Sequence, residues 1–136
     1  MKSVYYEKAL GVIGDSRGAL VAIEESDTVP FDIKRVYYIF NNSAHIRRGL
    51  HAHRESKQVL ICVAGSCDVE VEDSSGMATV TLDSPSKMLY LEGLVWHEMI
   101  NFSRDAVLLV LADRHYDESD YIRSYQEFIE LLKTLD

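Results

Sequence analysis

The chain has 136 residues, 47% apolar and 26% charged, a balance typical of a single globular domain, which we expect to span residues 1–136. Its 14 Lys and Arg against 22 Asp and Glu give a net charge of −8, which excludes a surface that coats DNA or RNA. The longest apolar run, Ala106 to Ala112, is far below the ~20 residues of a membrane helix. With no apolar signal-peptide core at the N-terminus, we expect a cytoplasmic protein without nucleic-acid or membrane partners.

Short runs of β-type residues, separated by Gly, Asn, Asp and Ser, fill most of the chain. Strands are predicted, in chain order, over residues 19–23, 36–40, 59–64, 67–72, 77–82, 87–91 and 107–111. The segment Asp73–Gly76 indicates a hairpin with a four-residue loop between two of them. Because no helices separate these strands, the pattern favours an all-β antiparallel sandwich or barrel over a parallel α/β sheet.

The C-terminal residues follow a helical period. Apolar side chains recur there at intervals of three and four, at Tyr121, Ile122, Tyr125, Phe128, Ile129 and Leu132. This spacing predicts an amphipathic α-helix over about residues 119–135, capped by Asp117 or Ser119 and packed on the β structure. A helix that binds a partner is the alternative.

The two cysteines are predicted to be buried, reduced thiols. Cys62 and Cys67 fall in one predicted strand segment, an odd number of residues apart. They are therefore expected to point to opposite faces of the sheet and to form no disulfide with each other.

His51 and His53 form an H-x-H pair beside Arg47, Arg48 and Arg54. Residues two apart on a strand face the same way, so both imidazoles are expected on one side of the sheet. Paired imidazoles next to positive charge point to a functional site.

Two segments resemble the two sequence motifs of the cupin family. The residues that carry the resemblance are His51, His53, Gln58 and Gly65 in the first segment and Gly93, His97 and Asn101 in the second. Gln58 stands where the first motif normally has Glu, and Leu91 replaces the usual proline of the second. The resemblance implies a cupin fold, a double-stranded β-helix or jelly-roll barrel that brings His97 close to the H-x-H pair.

The departure at Gln58 bears on metal binding. It removes the anionic ligand that metal-dependent cupins combine with their histidines, and the neighbouring Lys57 adds positive charge. Three histidines alone can still bind zinc, so a metal-dependent cupin enzyme remains an alternative. We expect no required metal.

Longer blocks resemble one subfamily, the sugar 3,4-ketoisomerases. They lie, in order, at Gly14–Leu20, Pro30–Tyr38, Arg48–Arg54 and Gly65–Cys67. The resemblance implies a homodimer, in which N-terminal strands can exchange between subunits, that converts dTDP-4-keto-6-deoxyglucose without metal or other cofactor. The product would feed dTDP-3-amino-3,6-dideoxyhexose synthesis for O-antigen or S-layer polysaccharide.

Moving a ketone from C4 to C3 needs a base at C3, a group that stabilises the enediol and an acid at C4. No electrons leave the substrate, so neither a nicotinamide nor a flavin is required. Histidine suits proton transfer near neutral pH. The predicted catalytic residues are His51 as principal base, His53 as relay or orienting group, His97 on the C4 side and Tyr37 as hydrogen-bond donor to the enediolate.

A dTDP-sugar also carries a diphosphate, which arginine binds well through paired hydrogen bonds. The predicted substrate-binding residues are Arg17, Arg35, Arg48, Lys57, Gln58 and, for stacking on thymine, Trp96. Arg17 and Arg48 are preferred because they fall in the family-like blocks, whereas core or interface packing is the alternative for Trp96.

Other functions remain open alongside the ketoisomerase. A dTDP-sugar 3,5-epimerase would also abstract a proton beside the C4 ketone, and a non-catalytic cupin would only bind the sugar nucleotide. Within the ketoisomerases, the combination of Arg17 and His97 resembles the enzymes that form the product with galacto configuration at C4, and the resemblance therefore implies that product.

Overall fold

The computed structural model describes residues 1–135, and these residues are mostly strands. In chain order the elements are β1 (Ser3–Ala9), β2 (Ile13–Asp15), β3 (Gly18–Leu20), β4 (Arg35–Ile39), β5 (Arg48–His53), β6 (Lys57–Ala64), β7 (Cys67–Asp73), β8 (Gly76–Leu82), β9 (Lys87–Gly93), β10 (Trp96–Ile100), β11 (Val107–Ala112), a 3₁₀ turn (Glu118–Asp120), β12 (Tyr121–Ile122) and α1 (Tyr125–Lys133).

Ten of these strands form two five-stranded antiparallel sheets that enclose one apolar core. The first sheet has the order β1-β9-β6-β11-β4 and the second the order β12-β5-β10-β7-β8. The remaining strands, β2 and β3, form a separate hairpin. Two sheets closing on a shared core make the all-β, double-stranded barrel that the sequence predicted.

The core between the sheets is built from inward side chains of both. Leu60 and Leu108 enter it from the first sheet, and Val69 and Leu82 from the second, all of them fully buried. Each such side chain contributes roughly 1.5–3 kcal/mol by leaving water. Polar side chains that also point inward therefore lie against closely packed apolar core side chains.

The hairpin between β7 and β8 is tighter than predicted. Asp73 pairs directly with Gly76, so the loop has two residues and not four. The Asp73 carboxylate accepts hydrogen bonds from the backbone N–H and the hydroxyl of Ser75, and Gly76 has a φ of +114°. Local hydrogen bonding by Asp and a positive φ at Gly close the shorter turn.

Cys62 and Cys67 lie on different strands, so the prediction that they point to opposite faces is wrong. Gly65, with a φ of +64°, turns the chain between β6 and β7, and strand parity does not carry across such a turn. Both side chains are buried in the same core cluster. The prediction of two buried thiols is confirmed, since both cysteines are free.

The C-terminal helix begins later than predicted. Ser124 is its N-cap, and the Ser124 side chain accepts a hydrogen bond from the backbone N–H of Glu127. The segment expected to form its first turns is instead the 3₁₀ turn, capped by Asp117, followed by β12, which pairs with β5. No helix in the described part of the chain is long and apolar enough to cross a membrane.

Helix α1 covers the outer face of the second sheet. Phe128 and Leu132 pack there on Trp96 and Ile122. This second apolar layer packs α1 against β10, which carries His97, and against β12, which pairs with the β5 strand of His51 and His53.

Candidate active site

Strands β5 and β10 place three imidazole rings on the inward face of the second sheet. The ring centre of His51 lies 4.9 Å from that of His53 and 4.6 Å from that of His97, and the His53–His97 separation is 5.8 Å. His97 is flanked on the same face by the core residues Val95 and Met99. The predicted proximity of the three histidines is confirmed, while their individual roles stay predictions.

A bulge in β5 sets the direction of His51. Gly49 and Leu50 have φ values of +85° and +55°, and the pairing with β10 shifts between His97 and Glu98. A Cβ on residue 49 would lie 2.8 Å from the carbonyl oxygen of His97. Glycine is therefore needed at this position, both for its conformation and for the close approach of the two backbones.

Backbone carbonyls fix the tautomers of two of the histidines. Nδ1 of His51 lies 2.9 Å from the Gly49 carbonyl oxygen, and Nδ1 of His97 lies 3.0 Å from that of Val95. A carbonyl oxygen can only accept a hydrogen bond, so Nδ1 carries the proton in each ring. Nε2 is left with its lone pair, as a base requires.

Burial keeps the same two rings neutral. It lowers the pKa of His51 from 6.5 to about 4, and the charge of a protonated His53 acts in the same direction. His97 is 2% exposed, and burial, followed by the charge of His51, lowers its pKa well below the ordinary value. At pH 7 both imidazoles are thus unprotonated and able to accept a proton.

Tyr37 lies on the inward face of β4, against the core. Burial raises the pKa of its phenol, with the nearby Tyr121 as the second cause, so the hydroxyl keeps its proton at neutral pH and can donate it in a hydrogen bond. The amide of Gln58, 3% exposed, faces this hydroxyl. The structure thus places both predicted residues on the inner wall.

Arg35 and Arg48 lie beside Tyr37 and line a cleft of about 410 Å³ with it. The Arg35 guanidinium is 4.4 Å from the centre of the Tyr37 ring and donates a hydrogen bond to the Tyr121 hydroxyl at 3.4 Å. Arg47, by contrast, is held by Glu70 and Glu98. A cleft with two guanidinium groups suits an anionic ligand.

Trp96 and Lys57 do not lie on this wall in a single chain, so their predicted role in binding substrate stays a prediction. Trp96 precedes His97 on the strand and so faces outward, where its ring centre lies 5.7 Å from that of Phe128. Lys57 lies two residues before Val59 on β6 and therefore points to the same face. Val59 packs in an apolar cluster on the outer face of the first sheet. Neighbouring residues on a strand point to opposite faces.

Arg17 is likewise remote from the histidines in a single chain. It lies in the β2–β3 hairpin, its side chain is 88% exposed, and its ion pair is with Asp15 of the same hairpin. Among residues 1–135, β2 and β3 pair only with each other. If Arg17 contacts substrate, the substrate must be bound at a site formed by residues outside the β2–β3 hairpin.

Sequence reasoning missed two residues of the site, Asp120 and Tyr121. The Tyr121 ring centre is 4.9 Å from that of His51 and 4.6 Å from that of His53, and the buried Asp120 carboxylate lies 3.4 Å from Nδ1 of His53. Both residues fall within the predicted helix over about residues 119–135. A capping box, with Ser124 three residues before Glu127, could have placed the start of that helix after them.

The three histidines could also hold a divalent cation. One ring nitrogen from each lies within 4.8 Å of the others, and a three-histidine set suits zinc. A cation bound there would polarise a carbonyl oxygen as a Lewis acid. Gln58 would contribute no charge to such a site.

Comparison with known proteins gives consistent matches over nearly the whole chain. Residues 5–133 match the family described as FdtA: WxcM-like, C-terminal. The TDP-4-oxo-6-deoxy-alpha-D-glucose-3,4-oxoisomerase of Aneurinibacillus thermoaerophilus is 54% identical over 114 residues, which cover 84% of this chain and 82% of that protein.

Solved structures of similar sequence superpose closely. QdtA, a sugar 3,4-ketoisomerase from Thermoanaerobacterium thermosaccharolyticum solved with TDP, has a TM-score of 0.94 and 42% identity over 96% of both chains. A mutant of QdtA solved with TDP-4-keto-6-deoxyglucose gives a TM-score of 0.93 at 42% identity, over 96% of this chain and 94% of that one. WlaRB, a TDP-quinovose 3,4-ketoisomerase from Campylobacter jejuni, gives 0.88 at 45% identity, over 93% of this chain and 97% of its own.

Proposed function

Because the chain belongs to the FdtA (WxcM-like, C-terminal) family, we propose that it is a 3,4-ketoisomerase acting on TDP-4-keto-6-deoxyglucose. The observation that carries this proposal is the group of three inward histidines, two of which are neutral with a free Nε2. The substrate named for the Aneurinibacillus thermoaerophilus relative, and that bound to the QdtA mutant, support the choice of sugar nucleotide.

The reaction exchanges the positions of a ketone and a hydroxyl within one molecule. Nε2 of His51 removes the proton from C3, whose acidity comes from the adjacent C4 ketone, and the electron pair forms the C3–C4 double bond of an enediolate. The Tyr37 hydroxyl donates a hydrogen bond to the developing oxyanion. A proton then returns to C4 while the proton of the C3 hydroxyl passes to the C4 oxygen, which leaves a ketone at C3 and a hydroxyl at C4.

The histidines act in sequence in this proposal. His53 relays the proton that His51 receives, and His97 serves the C4 side. No electrons enter or leave the substrate, so the step balances without a redox cofactor. General acid–base catalysis of this kind contributes typically 10²–10⁴-fold to a rate.

Binding of the nucleotide part is assigned to the cleft beside Tyr37. Arg35 and Arg48 supply two guanidinium groups for the diphosphate. The chain as a whole carries a charge of −8, so these arginines form a local positive site on an acidic protein.

A direct assay tests the activity. The protein is incubated with TDP-4-keto-6-deoxyglucose in the presence of EDTA, and the product is identified by NMR. We expect a 3-keto sugar nucleotide that a 3-aminotransferase can consume, and we expect His51→Asn to lower kcat at least 100-fold. A product epimerised at C3 or C5 would support the epimerase instead, and activity that follows stoichiometric metal would support a metal-dependent enzyme.

Binding of the substrate without any product would support the non-catalytic alternative. The configuration at C4 is read from the same NMR spectra. We expect an axial C4 hydroxyl, the galacto product, and an equatorial hydroxyl would overturn that preference.

We also propose that two copies of the chain share their sites. The β2–β3 hairpin exposes Ile13 and Leu20, and Arg17 at its turn points to solvent. An exposed apolar hairpin that carries a cation suits docking on a second copy, whose site would receive Arg17. The cytoplasmic location stays a prediction.

Mixed dimers test this arrangement. Arg17→Ala and His51→Asn chains are each expected to be nearly inactive alone. If Arg17 serves the partner copy, co-expressed chains form one complete site per heterodimer and recover about a quarter of wild-type activity at statistical mixing. No recovery in a purified heterodimer, or a monomer in solution, would contradict the proposal.

A further inference from the structure

Asp120 is a buried carboxylate held rigidly beside His53. The residue ends the 3₁₀ turn, and its carbonyl oxygen accepts the backbone N–H of Arg54 at 2.9 Å. The next residue, Tyr121, pairs with His53 across β12 and β5. Backbone pairing on both sides fixes the side chain of Asp120, which is 6% exposed, against the imidazole.

The carboxylate has partners that keep it ionised. It accepts the backbone N–H of Glu55 at 2.9 Å and that of Ser56 at 3.2 Å, as well as the Ser56 hydroxyl. Arg114 lies 3.8 Å away. Three hydrogen-bond donors directed at one carboxylate favour its ionised form, which only accepts hydrogen bonds.

Within the described chain, His53 makes no hydrogen bond of ordinary geometry. Its side chain is 3% exposed, and neither ring nitrogen has a hydrogen-bond partner. The nearest anion is Oδ2 of Asp120, 3.4 Å from Nδ1. This contact is longer than an ordinary hydrogen bond, and such contacts commonly tighten when substrate binds.

On the premise of the ketoisomerase activity, we propose that Asp120 is the positioning residue of His53, holding its proton on Nδ1 and leaving Nε2 free for proton transfer. An ionised carboxylate can only accept a hydrogen bond, so it selects the tautomer with Nδ1–H. His51 and His97 are fixed in the same tautomer by carbonyl oxygens. All three rings then have a free Nε2.

The charge of Asp120 also serves the relay step. When Nε2 of His53 takes up a proton, the ring becomes a cation among two neutral imidazoles in a buried wall. A fixed anion at Nδ1 stabilises that cation and need not itself take the proton, as in the triads of serine hydrolases. Asp120 therefore acts through His53 and does not touch the substrate.

Asp120→Asn is the first test. An amide nitrogen facing Nδ1 would donate to it and move the proton of His53 to Nε2, which removes the free lone pair. We expect kcat to fall roughly 100-fold with KM changed less than threefold. The ¹⁵N shifts of His53 should report an Nδ1–H ring in the wild type and an Nε2–H ring in the variant.

A matched control separates this role from simple structural support. Ser56→Ala removes a hydrogen bond to the same carboxylate oxygen but keeps the charge, so the His53 tautomer should not change and kcat should stay within threefold. In a His53→Asn background, Asp120→Asn should lower kcat no further. An additional fall there, or an unchanged tautomer in Asp120→Asn, would overturn the proposal.

The two proposals fail separately. Should the wild-type protein not isomerise the sugar nucleotide, the proposed function is wrong, and the tautomer of His53 still decides the role of Asp120. An active wild type in which Asp120→Asn shifts neither the tautomer nor kcat would overturn only the assignment of Asp120.

Discussion

His97 is the cross-strand partner of His51, and their ring centres lie 4.6 Å apart. The His97 ring is buried and the His51 ring half-buried, and a charge on His51 lowers the pKa of His97 further. Two imidazoles this close cannot both hold a proton without mutual repulsion, so they titrate as a coupled pair. A pair of imidazoles that takes up one proton at a time suits the transfer of a proton between adjacent carbons of a sugar.

The free energy of unfolding should fall as the pH drops below 6.5. The pKa of His51 is about 4 in the folded chain, against an ordinary 6.5, so the unfolded chain binds more protons between these values. By linkage this costs about 2 kcal/mol between pH 7 and pH 5, and the lowered pKa of His97 adds to it.

Urea unfolding at pH 7, 6 and 5 measures this loss. His51→Asn should lose about 2 kcal/mol less than the wild type over the same interval. His45→Asn, at an exposed residue, is the control and should follow the wild type. Identical losses in His51→Asn and wild type would show that His51 is not the titrating group.

Tyr37→Phe should lower kcat by about 10- to 100-fold, because it removes one donor to the enediolate. It also leaves the buried Gln58 amide without the phenol that it faces, at a cost of about 1 kcal/mol in stability. Steady-state kinetics and thermal unfolding measure the two effects. Tyr6→Phe is the control, since Tyr6 stacks on Tyr90 away from the histidines, and a kcat unchanged in Tyr37→Phe would remove Tyr37 from the reaction.

Gly49→Ala should damage stability and activity together. Its Cβ would meet the His97 carbonyl oxygen at 2.8 Å, and its φ is +85°, so we expect a loss of about 2 kcal/mol and a fall in kcat as His51 is displaced. Gly11→Ala is the control, because a Cβ there meets nothing within 4 Å. A Gly49→Ala variant with wild-type kcat would mean that the bulge does not determine the orientation of the His51 ring.

Arg48→Ala should raise KM about 10- to 100-fold with little change in kcat, since a charge-assisted hydrogen bond contributes roughly 1.5–3 kcal/mol. The neighbouring Arg47 provides the matched control, as it is held by Glu70 and Glu98. Arg47→Ala should leave KM unchanged. Equal effects of the two substitutions on KM would indicate a general effect of charge and not a diphosphate contact.

The sequence was sufficient to predict the barrel and the convergence of the three histidines. The H-x-H spacing puts His51 and His53 on the same face of a strand by geometry alone. The cupin resemblance places His97 on the neighbouring strand. The same rule of alternation could have placed Trp96 and Lys57 on the opposite faces of their sheets, because each adjoins an inward residue, His97 or Gln58.

The tail and the cysteines show where local patterns fail. Tyr121 and Ile122 fit the helical period, yet β5 offers them backbone hydrogen bonds, and such long-range pairing overrides a local preference. Cys62 and Cys67 lie on either side of the turn at Gly65, and the alternation of faces holds only within one continuous strand. The contact between Asp120 and His53 joins residues far apart in sequence, so no spacing rule could predict it.

Strand β12 has a consequence for how the protein loses activity. It meets β5 through two residue pairs, whereas β6 and β9 are central strands of a five-stranded sheet. Pairing through two residues opens at a lower free energy than the pairing of a central strand does. Reversible opening of this pairing would withdraw Asp120 and Tyr121 from the histidines while the barrel stays intact, so we expect activity to be lost before the barrel unfolds.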